Sequence, residues 1–160
     1  MTTAYKSALE SALRILGRRD HSVAELRRKL TQRQIDGKII DQVISECRRL
    51  DYLDDTRFAK GLIRMIKRKG RGFVQLKKEF HHRGLDGVES ERLLSEAYDR
   101  NEEFQIARQV ASKKLGLIKD SQPRKRRDKI YRFLYSRGFS KAVILKTLEA
   151  VIPSSDQWGK

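Results

Sequence analysis

One pattern occurs three times in the sequence and limits the possible folds more than any other feature. The segments LRRKLTQRQID (26–36), LKKEFHHRGLD (76–86) and IYRFLYSRGFS (130–140) each begin with two apolar residues four positions apart, the spacing of one helix face. Three residues later comes an arginine, which suits the negative end of a helix: Arg33, Arg83 and Arg137. Glycine follows in two segments, and Gln34 replaces it in the first. The pattern predicts helix, tight turn, helix.

Amphipathic segments flank each copy, so each unit is expected to contain three helices. With a shift of 50 residues, the apolar positions of residues 8–16 fall on those of residues 58–66, and a similar segment lies at 106–111. Segments with the alternation of a β-strand are nearly absent. The sequence predicts an all-α fold of three tandem three-helix repeats, at residues 1–53, 54–101 and 102–153, with a C-terminal tail at 154–160. Because small repeats contact mainly their neighbours, we expect an elongated, curved array.

The chain carries a large excess of positive charge. It has 37 Lys and Arg against 21 Asp and Glu, a net charge of +16 and a pI near 10.3. This excess indicates a polyanionic partner, but it does not distinguish direct binding to nucleic acid from docking on a protein that already coats nucleic acid. One basic run, residues 124–127, is expected in a long turn of the third repeat, either as a contact or as a solubilising loop.

The strongest concentration of charge is in the second repeat. Between residues 57 and 83 there are ten basic residues and one acidic residue, Glu79. On a helical wheel the cations of the first helix lie apart from its apolar face, and the segment holds too few acids to pair with them at helical spacing. We predict a surface that faces a polyanion, formed by Arg57, Lys60, Arg64, Lys67, Arg68, Lys69, Arg71, Lys77, Lys78 and Arg83.

No combination of residues indicates catalysis. His81 and His82 are adjacent, so on a helix they point in different directions and cannot form the i, i+4 pair of a metal site. Asp51, Asp54 and Asp55 precede a helix, where capping is a more frequent role than binding magnesium. The sequence contains no phosphate-binding loop, membrane span or secretory signal. We expect a cytoplasmic protein that is not an enzyme and that uses no cofactor and no metal.

These segments together resemble the RecX family of bacterial recombination regulators. The segments that carry the resemblance are HSVAELRRKL (21–30), DYLDDTRFAKGLI (51–63), KGRG (69–72), RGLD (83–86) and RFLYSRGFS (132–140). They occur in the family's order and span nearly the whole chain, which is more specific than any one of them alone.

Three residues depart from the family pattern without breaking its register. Asp51 stands where the family more often has glycine. Arg71 and Phe73 stand in a turn that is usually similar to KGYGP. Because position 73 is Phe, the chain lacks the proline that often begins the next helix.

The resemblance implies a non-catalytic array of three-helix units that binds the RecA recombinase filament on DNA, and we expect the protein to act as a monomer. It implies that the protein lodges in the filament groove and inhibits ATP hydrolysis, strand exchange and coprotease activity in the SOS response. In the DYLDD segment we expect Tyr52, Leu53 and Phe58 to pack between repeats, and Asp54 and Asp55 to cap the helix that follows.

The main alternative is a helix-turn-helix protein that binds DNA directly, without RecA. The third repeat is the best candidate, with polar residues around its turn: Arg132, Ser136, Arg137, Ser140 and Lys141. The segment AVILKTL that follows this turn is mostly apolar, whereas a recognition helix usually begins with polar side chains. A third alternative, a nuclease that uses the carboxylates near Asp54, requires a site that no other residue pattern supports.

Overall fold

The fold is all-helical in the part of the chain that the computed structural model describes, residues 2–120 and 122–153. These residues contain nine α-helices and no β-strand, as the sequence predicts. The helices are α1 (Thr3–Leu16), α2 (Val23–Thr31), α3 (Gly37–Arg49), α4 (Asp55–Arg68), α5 (Phe73–His82), α6 (Val88–Glu96), α7 (Arg100–Gly116), α8 (Pro123–Ser136) and α9 (Lys141–Val151). Within the described ranges no helix has the length and apolar character needed to cross a bilayer. The predicted tail, 154–160, lies outside the described residues.

Side-chain caps set several of the helix limits. The Glu25 N–H donates to Ser22 Oγ at 3.1 Å, and the Ser22 N–H donates to the Glu25 carboxylate at 3.3 Å, so α2 begins with a capping box. The Asp36 carboxylate accepts the N–H of Lys38 at 2.9 Å at the start of α3. Ser140 Oγ accepts an N–H at 3.3 Å from the first turn of α9. Each contact satisfies a backbone donor that a helix start leaves without an intrahelical partner.

The turn within each copy of the repeated pattern uses one residue in the left-handed region. These residues are Gln34, Gly84 and Gly138, with φ values of 59°, 65° and 77°. Glycine adopts this conformation without the clash that a Cβ atom creates, which explains its presence in two of the turns. Gln34 is exposed in its turn, so its longer side chain extends into solvent.

By compactness the chain divides into two units. The first comprises Met1–Gly61 and Glu79–Leu93, and the second comprises Leu62–Lys78 and Leu94–Lys160. Because this division runs through the three middle helices, the repeat limits at residues 53 and 101 stay a prediction. The core of the first unit contains side chains from α1, α2 and α3 that are completely buried: Ala12, Leu26, Leu30, Val43 and Cys47.

The second unit has a separate core, formed by α7, α8 and α9. Its completely buried side chains are Ala107, Ala111, Ile130, Leu134 and Ile144. Ile130 and Leu134 are the two apolar residues, four positions apart, of the third copy of the pattern. Their burial confirms that the i, i+4 pair identifies the core face of the helix.

Candidate functional site

Six of the ten predicted contact residues are exposed and form no ion pair within residues 2–120 and 122–153. They are Lys60, Arg64, Arg68, Lys69, Lys77 and Lys78. Lys60 belongs to the first unit and the other five belong to the second. An exposed cation outside an ion pair keeps its charge available to an external anion, so each of these six residues stays a candidate contact residue.

Lys67 and Arg71 do not belong to this exposed group. Lys67 Nζ lies 2.7 Å from Glu102 Oε2 and 4.9 Å from the centroid of the Tyr98 ring. The Tyr98 hydroxyl donates to the Arg71 carbonyl at 2.7 Å, and burial raises the pKa of Tyr98. The expectation that these cations lack acidic partners is wrong for Lys67. Its partner is Glu102, which lies 35 residues later in the chain.

Arg83 is also paired, through a carboxylate in the first repeat. Glu25 is only 3% exposed, and its carboxylate lies 2.8 Å from Arg83 Nη1 and 3.1 Å from Arg19 Nη2. Burial alone would raise the pKa of Glu25, but the hydrogen bonds from Arg19 and Arg83 outweigh this effect and lower the pKa to about 2. Arg83 therefore stabilises the fold around a buried anion rather than facing a partner.

Each acidic residue of the DYLDD segment has a structural contact. Asp51 Oδ1 lies 3.2 Å from Arg57 Nη1, so Arg57 is the third predicted contact residue in an ion pair. Asp54 Oδ1 accepts the Arg57 N–H at 3.0 Å, so Asp54 caps α4 as predicted. Asp55 accepts the Val23 N–H at 2.8 Å, so the prediction that Asp55 caps its own helix is wrong. Burial raises the pKa of Asp55, because a carboxylate loses hydration in this contact.

The apolar residues of the same segment differ in burial. Tyr52 is 55% exposed, so the prediction that it packs between repeats is wrong. The chain turns through the left-handed Asp51 (φ 60°), and the Tyr52 N–H closes this turn on the Cys47 carbonyl at 2.9 Å. After the turn it is Leu53 that enters the core of α1–α3, at 3% exposure. Leu53 therefore packs within the first repeat, and Phe58 is half-buried.

Two equivalent contacts, which sequence reasoning missed, join helices that are distant in the chain. The Asp55 carboxylate accepts the first N–H of α2, and the Glu103 carboxylate accepts the first N–H of α5, donated by Phe73, at 2.9 Å. Glu103 lies 48 residues after Asp55, the same shift that relates the first helices of the second and third repeats. An acidic residue at matching repeat positions is the signal that identifies this contact.

The turns after α5 and α8 complete both contacts. Ser22 Oγ donates to the Arg83 carbonyl in the first unit. In the second unit, the Gly72 N–H donates to the Arg137 carbonyl at 3.0 Å, and the Val74 N–H donates to the Gly138 carbonyl at 2.9 Å. The repeated arginine and glycine thus place a tight turn against the N-terminal end of another helix.

The polar residues proposed for a helix-turn-helix mostly have internal partners. Arg137 Nη1 donates to the Lys69 carbonyl at 2.8 Å, and the guanidinium lies 4.7 Å from the centroid of the Phe133 ring. The Ser136 hydroxyl donates to the Phe133 carbonyl at 2.8 Å, and Ser140 caps α9. Arg132 and Lys141 are the exposed cations of this group. A turn whose central arginine holds another backbone segment is poorly suited to reading DNA bases.

Replacing Arg137 with alanine is expected to lower the free energy of unfolding by about 1 to 2 kcal/mol, because the variant has no charged donor for two carbonyl groups. Thermal unfolding followed by circular dichroism measures the change. Arg132→Ala is the control, since Arg132 is exposed and, within the described part of the chain, donates only to Asp128 O, at 3.4 Å. Equal melting temperatures for the two variants would contradict this structural role of Arg137.

The basic run at residues 124–127 lies in a helix and not in the predicted turn. It forms the first turns of α8, which begins at Pro123. Arg127 donates to Glu149 Oε1 and to the Ile152 carbonyl, at 2.7 and 2.6 Å. Proline is favoured in the first turn of a helix, and Pro123 therefore fixes a helix start ahead of the whole basic run.

Comparisons with known proteins agree with this arrangement. Residues 8–47 match the first three-helix domain of RecX, and residues 101–148 match the third three-helix domain. Two crystal structures share the fold. RecX from Lactobacillus salivarius has a TM-score of 0.81 at 20% identity, over 94% of this chain and 98% of the other. A second structure, described as regulatory protein RecX, has a TM-score of 0.76 at 17% identity, over 92% and 72%.

Sequence relatives are more similar. The protein named "Regulatory protein RecX" from Serratia proteamaculans is 34% identical over 155 residues, which cover 82% of this chain and 89% of that protein. The protein of the same name from Vibrio vulnificus is 34% identical over 139 residues, which cover 87% and 89%. Since about a third of the residues are identical over most of both chains, and since two three-helix domains match in order, this chain belongs to the RecX family of regulatory proteins.

Proposed function

We propose that this protein binds the filament that RecA forms on DNA and inhibits its ATP hydrolysis, strand exchange and coprotease activities in recombination and the SOS response. Membership in a family of proteins named as regulators carries the proposal. In this role the protein acts as a cytoplasmic monomer, needs no cofactor or metal, and has no catalytic activity of its own. Each carboxylate that an alternative nuclease site would need is engaged in a structural contact, which favours a regulator.

The exposed cations supply the electrostatic part of filament binding. Of the ten residues predicted from the sequence, we assign this role to Lys60, Arg64, Arg68, Lys69, Lys77 and Lys78. The other four have structural contacts: Arg57, Lys67 and Arg83 in ion pairs, and Arg71 through its carbonyl. Long-range attraction to the phosphates of the filament raises the rate of encounter, and neutralising phosphates releases counterions.

Replacing Arg64, Arg68 and Lys78 with glutamine is expected to weaken filament binding and to flatten its dependence on salt. Each phosphate that is no longer neutralised reduces the slope of log affinity against log salt by about 0.7 to 0.9, so the triple variant reduces it by about 2 to 3. Fluorescence anisotropy of labelled protein on preformed filaments, at several salt concentrations, measures both quantities.

The matched control removes three exposed cations from the first repeat, Lys6, Lys38 and Arg48, which have no ion pair within the described residues. This control lowers the net charge by the same amount. A smaller effect of the control supports the assigned surface. Equal effects of the two triple variants would instead indicate attraction by net charge alone, and the assignment of these residues would be wrong.

The function itself is tested by ATP hydrolysis of RecA filaments preformed on single-stranded DNA. We expect inhibition when this protein is present well below one molecule per RecA, because a filament regulator acts on an assembly. An unrelated helical protein of similar charge is the control. Inhibition only at amounts that coat free DNA, matched by the control protein, would favour the direct DNA-binding alternative over the proposed function.

A further inference from the structure

A basic cavity of about 360 Å³ lies in the first repeat, and none of its lining residues belongs to the set assigned to filament binding. Its walls come from the last turn of α1, the segment between α1 and α2, the last turn of α2 and the turn that follows α2. Five cations line it, together with one buried histidine: Arg14, Arg18, Arg19, Lys29, Arg33 and His21. All six residues belong to the first unit, so the cavity is formed within one compact body.

The cations around this cavity are only slightly compensated. Arg19 pairs with Glu25, but Arg14, Arg18, Lys29 and Arg33 have no side-chain acceptor within residues 2–120 and 122–153. No carboxylate lines the cavity in this part of the described chain. The C-terminal ends of α1 and α2 each contribute about half of a negative charge, roughly one charge together. Four unpaired cations therefore exceed the local negative charge by about three.

His21 adds a fixed polar group to the cavity wall. It is 5% exposed, and its Nδ1 lies 2.8 Å from the Arg19 carbonyl. A carbonyl oxygen only accepts hydrogen bonds, so Nδ1 carries a proton and the ring orientation is fixed. Burial lowers the pKa of His21, and the charge of nearby cations adds to this effect. The site thus combines several guanidinium groups with one imidazole whose orientation is fixed.

From this geometry we propose that the cavity binds a small anion with two or more linked phosphate groups, such as the polyphosphate of a nucleoside triphosphate. Guanidinium groups bind phosphate oxygens through paired hydrogen bonds, which makes arginine the favoured residue for this class of ligand. The volume is near the lower end of small-molecule sites, which span roughly 300 to 1,000 Å³. A single phosphate, with a charge of about −2 at most, has too little charge to compensate about three excess cations, whereas a triphosphate carries enough.

Isothermal titration calorimetry of the full chain with inorganic triphosphate, and then with ATP, tests this proposal. Salt at about 0.15 M screens diffuse attraction between exposed charges beyond about 8 Å. We expect one site per chain. Replacing Arg14, Arg18 and Arg33 with glutamine should weaken binding by at least about tenfold, since the variant lacks three charge-assisted donors. These side chains are exposed and unpaired within the described chain, so folding should be retained, which circular dichroism verifies.

The charge-matched control is again the variant without Lys6, Lys38 and Arg48, three cations of the same repeat outside the cavity. Unchanged triphosphate affinity in this control supports a defined site. The proposal is overturned if both variants lose affinity equally or if triphosphate does not bind the wild type. It is also overturned if the cavity variant loses affinity only for single-stranded DNA. None of these results depends on RecA, so they are separate from the test of the proposed function.

Discussion

Replacing Glu25 with glutamine is expected to lower the free energy of unfolding by about 3 kcal/mol, because removing one partner of a buried ion pair leaves its other charges uncompensated. Glu25 is 3% exposed and holds Arg19 and Arg83, and its carboxylate also accepts the Ser22 N–H. Glutamine keeps the size of the side chain, so the loss reports charge and not volume. Urea unfolding followed by circular dichroism measures it.

This ion pair also predicts how stability depends on pH. The pKa of Glu25 is about 2 in the folded protein against an ordinary value of 4.5, so the unfolded chain binds this proton more readily. The stabilisation is complete above about pH 4.5 and is lost as pH falls toward 2. The pKa difference corresponds to about 3 kcal/mol, since one pKa unit is about 1.4 kcal/mol. Asp55 and Glu103 act in the opposite direction, because burial raises their pKa values.

Unfolding midpoints of wild type and Glu25→Gln, measured between about pH 7 and about pH 2, separate the contribution of Glu25. We expect the two curves to converge as the solution becomes acidic. Glu46→Gln is the control, since Glu46 pairs with Arg49 only on the surface of α3 and should give little change. Parallel curves for wild type and Glu25→Gln would show that the pKa of Glu25 is not lowered in the folded protein.

The parts of the fold that could be predicted are those whose signal is local. The pair Ile130 and Leu134 shows the core face of α8, and Ser22 with Glu25 shows the start of α2, because each signal lies within a few residues. The all-α class and the resemblance to RecX depend on such segments. They require no knowledge of which helices meet.

The ion pairs could not be predicted in the same way. Glu102 is 35 residues from Lys67, and Glu25 is 58 residues from Arg83, so helical spacing gives no sign of either pair. As a consequence, counting acids near the basic segment overestimates the number of free cations. Tyr52 illustrates a related limit. Its exposure depends on the left-handed turn at Asp51, which composition alone does not show.

Gln34 shows that the left-handed turn and its packing on another helix place separate requirements on the residue at this position. Gln34, Gly84 and Gly138 share the left-handed conformation, so the backbone tolerates a side chain there at some strain. A Cβ atom on Gly84 would meet the Cβ of Ala24, and one on Gly138 would lie 2.5 Å from the Gln75 nitrogen. Gln34 is exposed. Glycine is therefore required where the turn packs on another helix. The sequence pattern alone attributes the glycine to the turn conformation and not to this packing.

Replacing Gly138 with alanine is expected to lower the free energy of unfolding by about 2 to 5 kcal/mol. The left-handed conformation, φ 77°, costs an L-residue about 1 to 2 kcal/mol. Overpacking adds about 1 to 3 kcal/mol, because the new Cβ would lie 2.5 to 2.9 Å from backbone atoms of Gln75. Moving the turn away would break the hydrogen bond from the Val74 N–H to the Gly138 carbonyl. Thermal and urea unfolding of the variant measure the loss.

Two further glycine variants separate backbone strain from close packing. Gln34→Gly relieves the same left-handed strain without a packing partner and is expected to stabilise the protein by on the order of 1 kcal/mol. Gly116→Ala, at the end of α7, introduces a Cβ with no atom within 4 Å and should be close to neutral or slightly stabilising. If Gly138→Ala lowered the free energy of unfolding by no more than Gln34→Gly raises it, the close packing of the α8–α9 turn on the start of α5 would contribute nothing to stability. A larger loss assigns the difference to that packing and explains why the third repeat keeps glycine at this turn.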